Sequence, residues 1–244
     1  AGSVKIDGSN LGSALAGTIA ATRISANTTA GFSIVEWVGT GTGTPTVAHG
    51  LSVTPNLIII KQFTGTAYNW ATYSTPTGPD GYINLDQTNA WASNAGFFND
   101  APTASLFTPG SHSYVNPSSE SMIAYCFHSV EGYSKVGSYE GNGDVDGAFI
   151  YTGMKPSYLL IRTTNLTNHS WYIWDDKRDT INPNDKVLYP NNTMDEQGPH
   201  ADYAIDFLSN GFKIRNASNL DNNSSGTYLY LAFAESPFKT SNAR

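Results

Sequence analysis

The densest charged cluster in the chain is Trp174-Asp175-Asp176-Lys177-Arg178-Asp179. Paired carboxylates at such spacing could act as general acid and base in glycoside hydrolysis. They could also hold a hard cation through oxygen. The structural alternative is a strand end whose charges pair with one another in a turn. That alternative is favoured, because no catalytic partner is identifiable for the cluster. A depolymerase reading would need Asp175 or Asp179 to work with another acid such as Glu140 or Asp144. The segment Gly141-Asn142-Gly143-Asp144-Val145-Asp146-Gly147 resembles a calcium loop in composition. It lacks the bidentate glutamate at the right distance, and hairpin turns use the same residues for positive φ. The histidines, His49, His112, His128, His169 and His200, form no HExxH or other metal-ligand pair. His49 precedes Gly50 and reads as a turn cap. Neither G-x-S-x-G nor a P-loop occurs. No metal, cofactor or catalytic residue is therefore expected, and the protein reads as a non-enzyme.

Aromatic side chains beside amides and carboxylates suit a different task. A Trp or Tyr face covers the apolar face of a sugar, and Asn or Asp takes its hydroxyls. Trp91, with Asn89 close by in the polar stretch Gln87–Asn94, is the preferred candidate for an exposed platform. Trp174, with Asp175 and Asp179, is the second. Trp70 and Trp171 occupy matching places in an internal repeat and read as core anchors instead.

That repeat defines the elements that must position these residues. GFSIV at 31–35 matches GYSKV at 132–136, and WVGTG at 37–41 matches YEGNG at 139–143. PNLIIIK at 55–61 matches PSYLLIR at 156–162, and NWATY at 69–73 matches SWYIW at 170–174. The offset is 101 or 102 residues in these blocks. GFF at 96–98 aligns with GFK at 211–213 at an offset of 115, and MIAYCF at 122–127 with YLYLAF at 228–233 at 106. Two copies of one domain are expected, at 31–130 and 131–244, the second ending in a C-terminal tail. Residues 1–30 carry no aromatic residue and read as a stalk or linker.

Each copy has the rhythm of antiparallel β. Leu57-Ile58-Ile59-Ile60 follows Pro55 and suits a strand buried on both faces. The segment Thr227 to Phe233 is rich in β-branched and aromatic residues, as strands are. Asp202 to Leu208 fits a helical turn or a strand equally well. The expected fold is all-β: two sequence-related antiparallel β-sandwich domains with a short N-terminal stalk-like segment.

Composition narrows the class further. Lys+Arg 13 against Asp+Glu 20 gives a net charge of −7, which disfavours nucleic acid and anionic membranes as partners. Charged residues make up 14% of the chain, so Asn, Ser, Thr and Gly supply much of its polarity. The one cysteine, Cys126, excludes an internal disulfide and a multi-cysteine zinc site. It reads as a small core residue, since Ala232 stands at its place in the second copy. The longest aliphatic run, Leu57 to Ile60, is far shorter than the roughly 20 residues of a membrane-spanning helix, so no membrane insertion is expected. The start at Ala1, without a basic segment leading into an apolar one, reads as a processed chain or a piece of a longer one.

The strings GYSKVGSYEGNGDVDGAFIYTGMKPSYLLIR, SWYIWDDKRD, DFLSNGFKIRN and GTYLYLAFAESPFKTSNAR carry a resemblance. They resemble an uncharacterised C-terminal domain of tail-fibre-like and other virion structural proteins of marine bacteriophages. The resemblance covers about 31–244. It implies a virion-surface location, other virion proteins as partners, and host recognition through surface glycans or other receptors. It supplies no catalytic residues. Phage fibres usually trimerise, and the lack of an internal disulfide also points to a homo-oligomer, with a trimer favoured. The alternatives are a polysaccharide depolymerase and a purely structural decoration or shaft domain without a ligand.

Overall fold

The structure is a computed structural model that describes residues 3–11, 15 and 17–237. It is built almost wholly of strands; among the described residues the one helical element is a 3-10 turn at Ala201–Tyr203. The chain divides into two compact units. Unit 1 holds the residues up to Leu85 together with Trp91–Ser129. Unit 2 holds Asp86–Ala90 and the residues from Val130 onward. The end of the expected tail, 238–244, lies outside the described residues.

Unit 1 contains β1 (Ser3–Ile6), β2 (Ser9–Asn10), β3 (Arg23–Asn27), β4 (Phe32–Val38), β5 (Val47–Ala48) and β6 (Leu57–Gln62). It continues with β7 (Ala71–Ser74), β8 (Gly81–Asn84), β9 (Ala92–Ser93), β10 (Leu106–Phe107) and β11 (Ser121–Phe127). Nine of these form one sheet in the order β2-β1-β3-β4-β11-β6-β7-β8-β9. Strand β6 lies inside it, between β11 and β7, and Leu57, Ile58, Ile59 and Ile60 are all buried. An unbroken aliphatic run suits that place: Ile58 and Ile60 face the core, and Leu57 and Ile59 are covered on the opposite face. Strand β11 instead alternates: Met122, Ala124 and Cys126 are fully buried, while Ile123, Tyr125 and Phe127 on the other face are half-buried. The short β5–β10 ladder belongs to the same core, where Phe107 meets Trp37 edge-on with ring centroids 5.5 Å apart. His49 caps the turn after β5, its Nδ1 accepting from Leu51 N–H at 3.2 Å.

The described part of the first 30 residues is no stalk. Strand β3 pairs antiparallel with β4, and β1 pairs parallel with β3. Val4, Ile24 and Ala26 are buried in the unit 1 core. The segment needs no aromatics of its own, because the sheet it joins supplies them.

Unit 2 contains β12 (Ser134–Glu140), β13 (Phe149–Tyr151), β14 (Pro156–Thr163), β15 (Tyr172–Asp175), β16 (Ile205–Leu208), β17 (Gly211–Ile214) and β18 (Thr227–Ala234). Its main sheet has the order β12-β18-β14-β15. That is the order β4-β11-β6-β7 of unit 1, strand for strand. The second ladder, β13-β17-β16, corresponds to β5–β10 with one strand added. Here Phe212 meets Tyr139 and Tyr230 edge-on, at 5.9 and 5.4 Å. Asp202 to Leu208 divides its two readings: the 3-10 turn ends at Tyr203 and strand β16 follows.

The shared topology corrects one block of the repeat. Gly96-Phe97-Phe98 lies in a turn region, so it is not the counterpart of strand β17. Leu106 pairs with Ala48 as Phe212 pairs with Ile150, which makes β10 the counterpart. The offset then passes from 102 to 106, the value that also relates β11 to β18. A shared Gly-Phe pair was a misleading local match.

One loop clasp recurs in both units. The Asn116 carboxamide oxygen accepts from Thr40 N–H at 2.8 Å, and its backbone carbonyl accepts from Gly41 N–H at 2.9 Å. In unit 2 Asn222 does the same for Asn142 and Gly143, at 3.0 and 2.8 Å. Both asparagines are fully buried. The glycine before each donor pair has no room for a side chain: a Cβ on Gly39 would lie 2.0 Å from Pro117 O, and one on Gly141 2.3 Å from Asn223 O. Gly41 and Gly143 take φ of +73° and +67°, a region that favours glycine. Asn222 also donates to Asp144 O at 2.8 Å and Asn216 O at 2.6 Å. Removing a buried polar group strands its partners, at about 1–3 kcal/mol for each group left unsatisfied. Both Asn116→Ala and Asn222→Ala are expected to lower stability in urea denaturation, with Asn222→Ala the more damaging. Asn116 has one such donation, to Thr40 Oγ1 at 3.2 Å, so equal losses would mean that the additional bond of Asn222 contributes nothing.

Candidate functional site

The alternation of β11 and its neighbours sets a row of side chains on the face of the unit 1 sheet turned away from the core. Ile123 stands opposite Glu36 on one side and Lys61 on the other, and Tyr125 opposite Ile59. Trp70, just before β7, lies beside them. Its indole stacks with Tyr125 at 6.2 Å and 24°. The Lys61 ammonium lies 5.6 Å from the Trp70 ring centroid and donates to Tyr68 O. With Gln62 and Phe63, these residues line an open groove of about 420 Å³. Phe63 is 54% exposed, which is unusual for so large an apolar side chain. Gln62 is buried, and its Oε1 has no hydrogen-bond partner. The groove therefore combines an aromatic floor with a carboxylate and an ammonium. Such a set can cover an apolar sugar face and meet hydroxyls at its edge.

Unit 2 carries the same pair in another state. Arg162 and Trp171 stand at the places of Lys61 and Trp70, at an offset of 101, and are 0% and 1% exposed. The segment Asp86–Ala90 lies over them: Arg162 Nη2 donates to Asn89 O at 2.6 Å, and Asn168 N–H donates to Thr88 O at 2.7 Å. Burial lowers the Arg162 pKa to about 10. One copy of the site is closed by the chain itself and the other is an open groove.

The structure relocates the residues expected to bind. Trp174 is fully buried and donates from Nε1 to Tyr203 O at 2.8 Å, so it is a core residue and no platform. Strand β15 turns Tyr172 and Trp174 inward together. Trp91 is half-buried, and its ring lies against Gly81, where a Cβ would come within 2.2 Å of it. It packs on the backbone of its hairpin partner instead of standing clear. Asn89 belongs to unit 2 and Trp91 to unit 1. Asp175 accepts from Lys177 N–H at 3.1 Å and Arg178 N–H at 2.9 Å, and pairs with Arg178 Nε at 2.6 Å. Burial raises its pKa, but the bonds from Arg178 outweigh that and hold the carboxyl below its usual range. Arg178 also reaches Glu196 at 2.7 Å. Asp179 accepts from Asp185 N–H at 2.8 Å and holds the following loop. The second acids weighed for hydrolysis are engaged too: Glu140 with Thr227 at 2.9 Å, and Asp144 with Asp146 N–H at 2.9 Å. Asp146 pairs with Lys213 at 2.7 Å. The charged cluster is thus a turn that pairs its own charges.

An all-β protein of two duplicated sandwich units, with an open aromatic groove on one of them, is the class that this geometry defines. Residues 7–237 match the Domain of unknown function (DUF7483), and the chain belongs to that family. The match spans both units, so the duplication lies within the family's own domain. No curated protein and no solved structure matches the chain.

Sequence reasoning overlooked the groove because Trp70 matched Trp171 and both were assigned to the core. The usable signal was Lys61 at the end of the Leu57–Ile60 run, with Tyr125 on the outward beat of β11. It also overlooked Asp221, a carboxylic acid with 0% exposure in unit 2. Asp221 accepts from Asn216 Nδ2 at 3.3 Å, and its Oδ1 has no partner. Val115 holds the corresponding place in unit 1, also fully buried. Burial raises the Asp221 pKa to about 8. An acid with a raised folded-state pKa is protonated in the fold and ionised in the unfolded chain between the two pKa values. Its contribution to stability is present below pH ~4 and is lost as pH rises toward about 8. The slope approaches ~1.4 kcal/mol per pH unit inside that window. Melting temperatures of the wild type are expected to fall between pH 5 and pH 8 relative to Asp221→Asn, whose profile is flatter. Parallel profiles would show that Asp221 is already ionised in the folded protein.

Proposed function

We propose that this chain is a non-enzymatic structural protein of a bacteriophage virion, carried on a tail-fibre-like or capsid-surface appendage, and that it contacts host-surface glycans. The virion assignment is supported by the resemblance of residues 31–244 to C-terminal domains of such proteins. The glycan assignment is carried by one observation, the open groove of unit 1 with Trp70 and Tyr125 stacked beside Glu36 and Lys61. Its duplicate in unit 2 is closed by Asp86–Ala90, which makes the open state of the first a point of difference between otherwise similar units. Other virion proteins and further copies of the chain, in a trimer, are the partners this reading implies. The depolymerase alternative has less support, because Asp175 and Asp179 both hold turns.

An array of bacterial surface glycans, probed with the intact chain, tests the binding. The wild type should bind a defined subset, and Trp70→Ala should weaken that binding about tenfold or more, or ~1.4 kcal/mol. Trp91→Ala should leave affinity unchanged, since its ring packs on Gly81. Binding by Trp70→Ala at wild-type strength would remove the groove from the reading. Light scattering tests the assembly: three times the chain mass is expected, and a monomer mass would remove the trimer.

A further inference from the structure

The groove of unit 1 holds one charge that nothing in it neutralises. Glu36 on β4, Ile123 on β11 and Lys61 on β6 stand in one row across three neighbouring strands. Arg23 on β3 extends the row beyond Glu36. Its Nε lies 3.7 Å from Glu36 Oε2, so that carboxylate already has a counter-charge. Lys61 makes no ion pair among the described residues. Its ammonium donates to Tyr68 O and lies over the Trp70 ring. An ammonium has three donors, so a single carbonyl leaves two of them unused. Lys61, Trp70, Ile123 and Tyr125 are all half-buried and keep part of their surface open to the groove. Two cations against one carboxylate leave the row positive, on a chain whose net charge is −7.

Unit 2 shows what a cation at this place takes. Arg162 stands where Lys61 does, and Asn89 O accepts from its Nη2 at 2.6 Å. The chain itself thus lays an oxygen acceptor on the cation and closes the site. In unit 1 the Tyr68 carbonyl serves Lys61 and still leaves the groove open, so a further acceptor can come from a ligand.

We propose that this groove selects a glycan residue that carries a carboxylate, such as a uronate, with the carboxylate on Lys61 and the C–H face of the ring on Trp70. The proposal rests on the glycan reading above and names the class of sugar. A carboxylate accepts from both remaining donors of Lys61 and supplies the missing counter-charge, and such charge-assisted bonds are the strong ones. Glu36 does not oppose it. Neighbouring strands lie about 4.8 Å apart, so Glu36 and Lys61 are separated by two spacings, roughly 10 Å. Physiological salt screens exposed charges over about 8 Å, whereas the contact at Lys61 is direct. Glu36 is left to accept from hydroxyls farther along the glycan.

The test is the array of bacterial surface glycans, probed with the intact chain in two forms, one untreated and one with its carboxyl groups reduced to alcohols. The glycans whose binding depends on Trp70 are expected to carry carboxylates, and reduction should weaken them about tenfold or more. Added salt should weaken the untreated form more than the reduced one. Lys61→Met, which keeps the aliphatic stem, should lower binding of the untreated form to that of the reduced form. Lys61→Arg should retain it, since arginine fills this place in unit 2; circular dichroism checks that both variants fold. Trp70-dependent binding that survives reduction would overturn the acidic class and leave the glycan reading standing. Full binding of carboxylated glycans by Lys61→Met would overturn the role of Lys61. An array without any Trp70-dependent signal would overturn both the acidic class and the glycan reading.

Discussion

The fold rests on one pairing, made twice. In each unit the last long strand enters the sheet between the first and the second, so β11 joins β4 to β6 and β18 joins β12 to β14. Without β11 the aliphatic run of β6 loses one of its two hydrogen-bonded neighbours and becomes an edge. The rest of the unit then cannot bury Trp37, Phe107 and the isoleucines as one core. The ring contacts, the loop clasp and the outer face all follow from that insertion, because it sets the register of three strands at once. Pairing of this kind is non-local, and such contacts form only after the loop between them has been closed.

The duplication then lets one unit serve as the control for the other. The Gly-x-Gly and Asn clasp is retained in both, at Gly39, Gly41 and Asn116 and at Gly141, Gly143 and Asn222. It is a backbone requirement with little tolerance. Elsewhere the copies part company in chemistry while keeping position. Val115 becomes Asp221, Lys61 becomes Arg162, and an open indole becomes a sealed one.

Much of the fold was legible in the sequence. The all-β class follows from aromatic and β-branched runs broken by Gly and Pro, and Leu57 to Ile60 is an interior strand. The repeat was visible wherever both copies keep strand residues in register. It failed at Gly96-Phe97-Phe98, because a short match carries no information about pairing. The first 30 residues were misread because their core is borrowed: a segment of small residues looks weak until a sheet supplies its neighbours. Single tryptophans were the least legible feature. Burial of Trp174, packing of Trp91 on Gly81 and the partial openness of Trp70 depend on which face of a strand each occupies and on what crosses above it. Neither is a property of the residue or its sequence neighbours.

The segment that packs on Arg162 has a consequence for how this domain could be inherited. Asp86–Ala90 lies within the sequence of the first copy but completes the second. A gene fragment starting at Val130 would encode every strand of unit 2 and still omit the carbonyl that receives its buried guanidinium. Recombination at the obvious boundary would thus separate a cation from its acceptor. The second copy cannot be moved as a piece that begins at Val130; it has to bring with it a segment written inside the first.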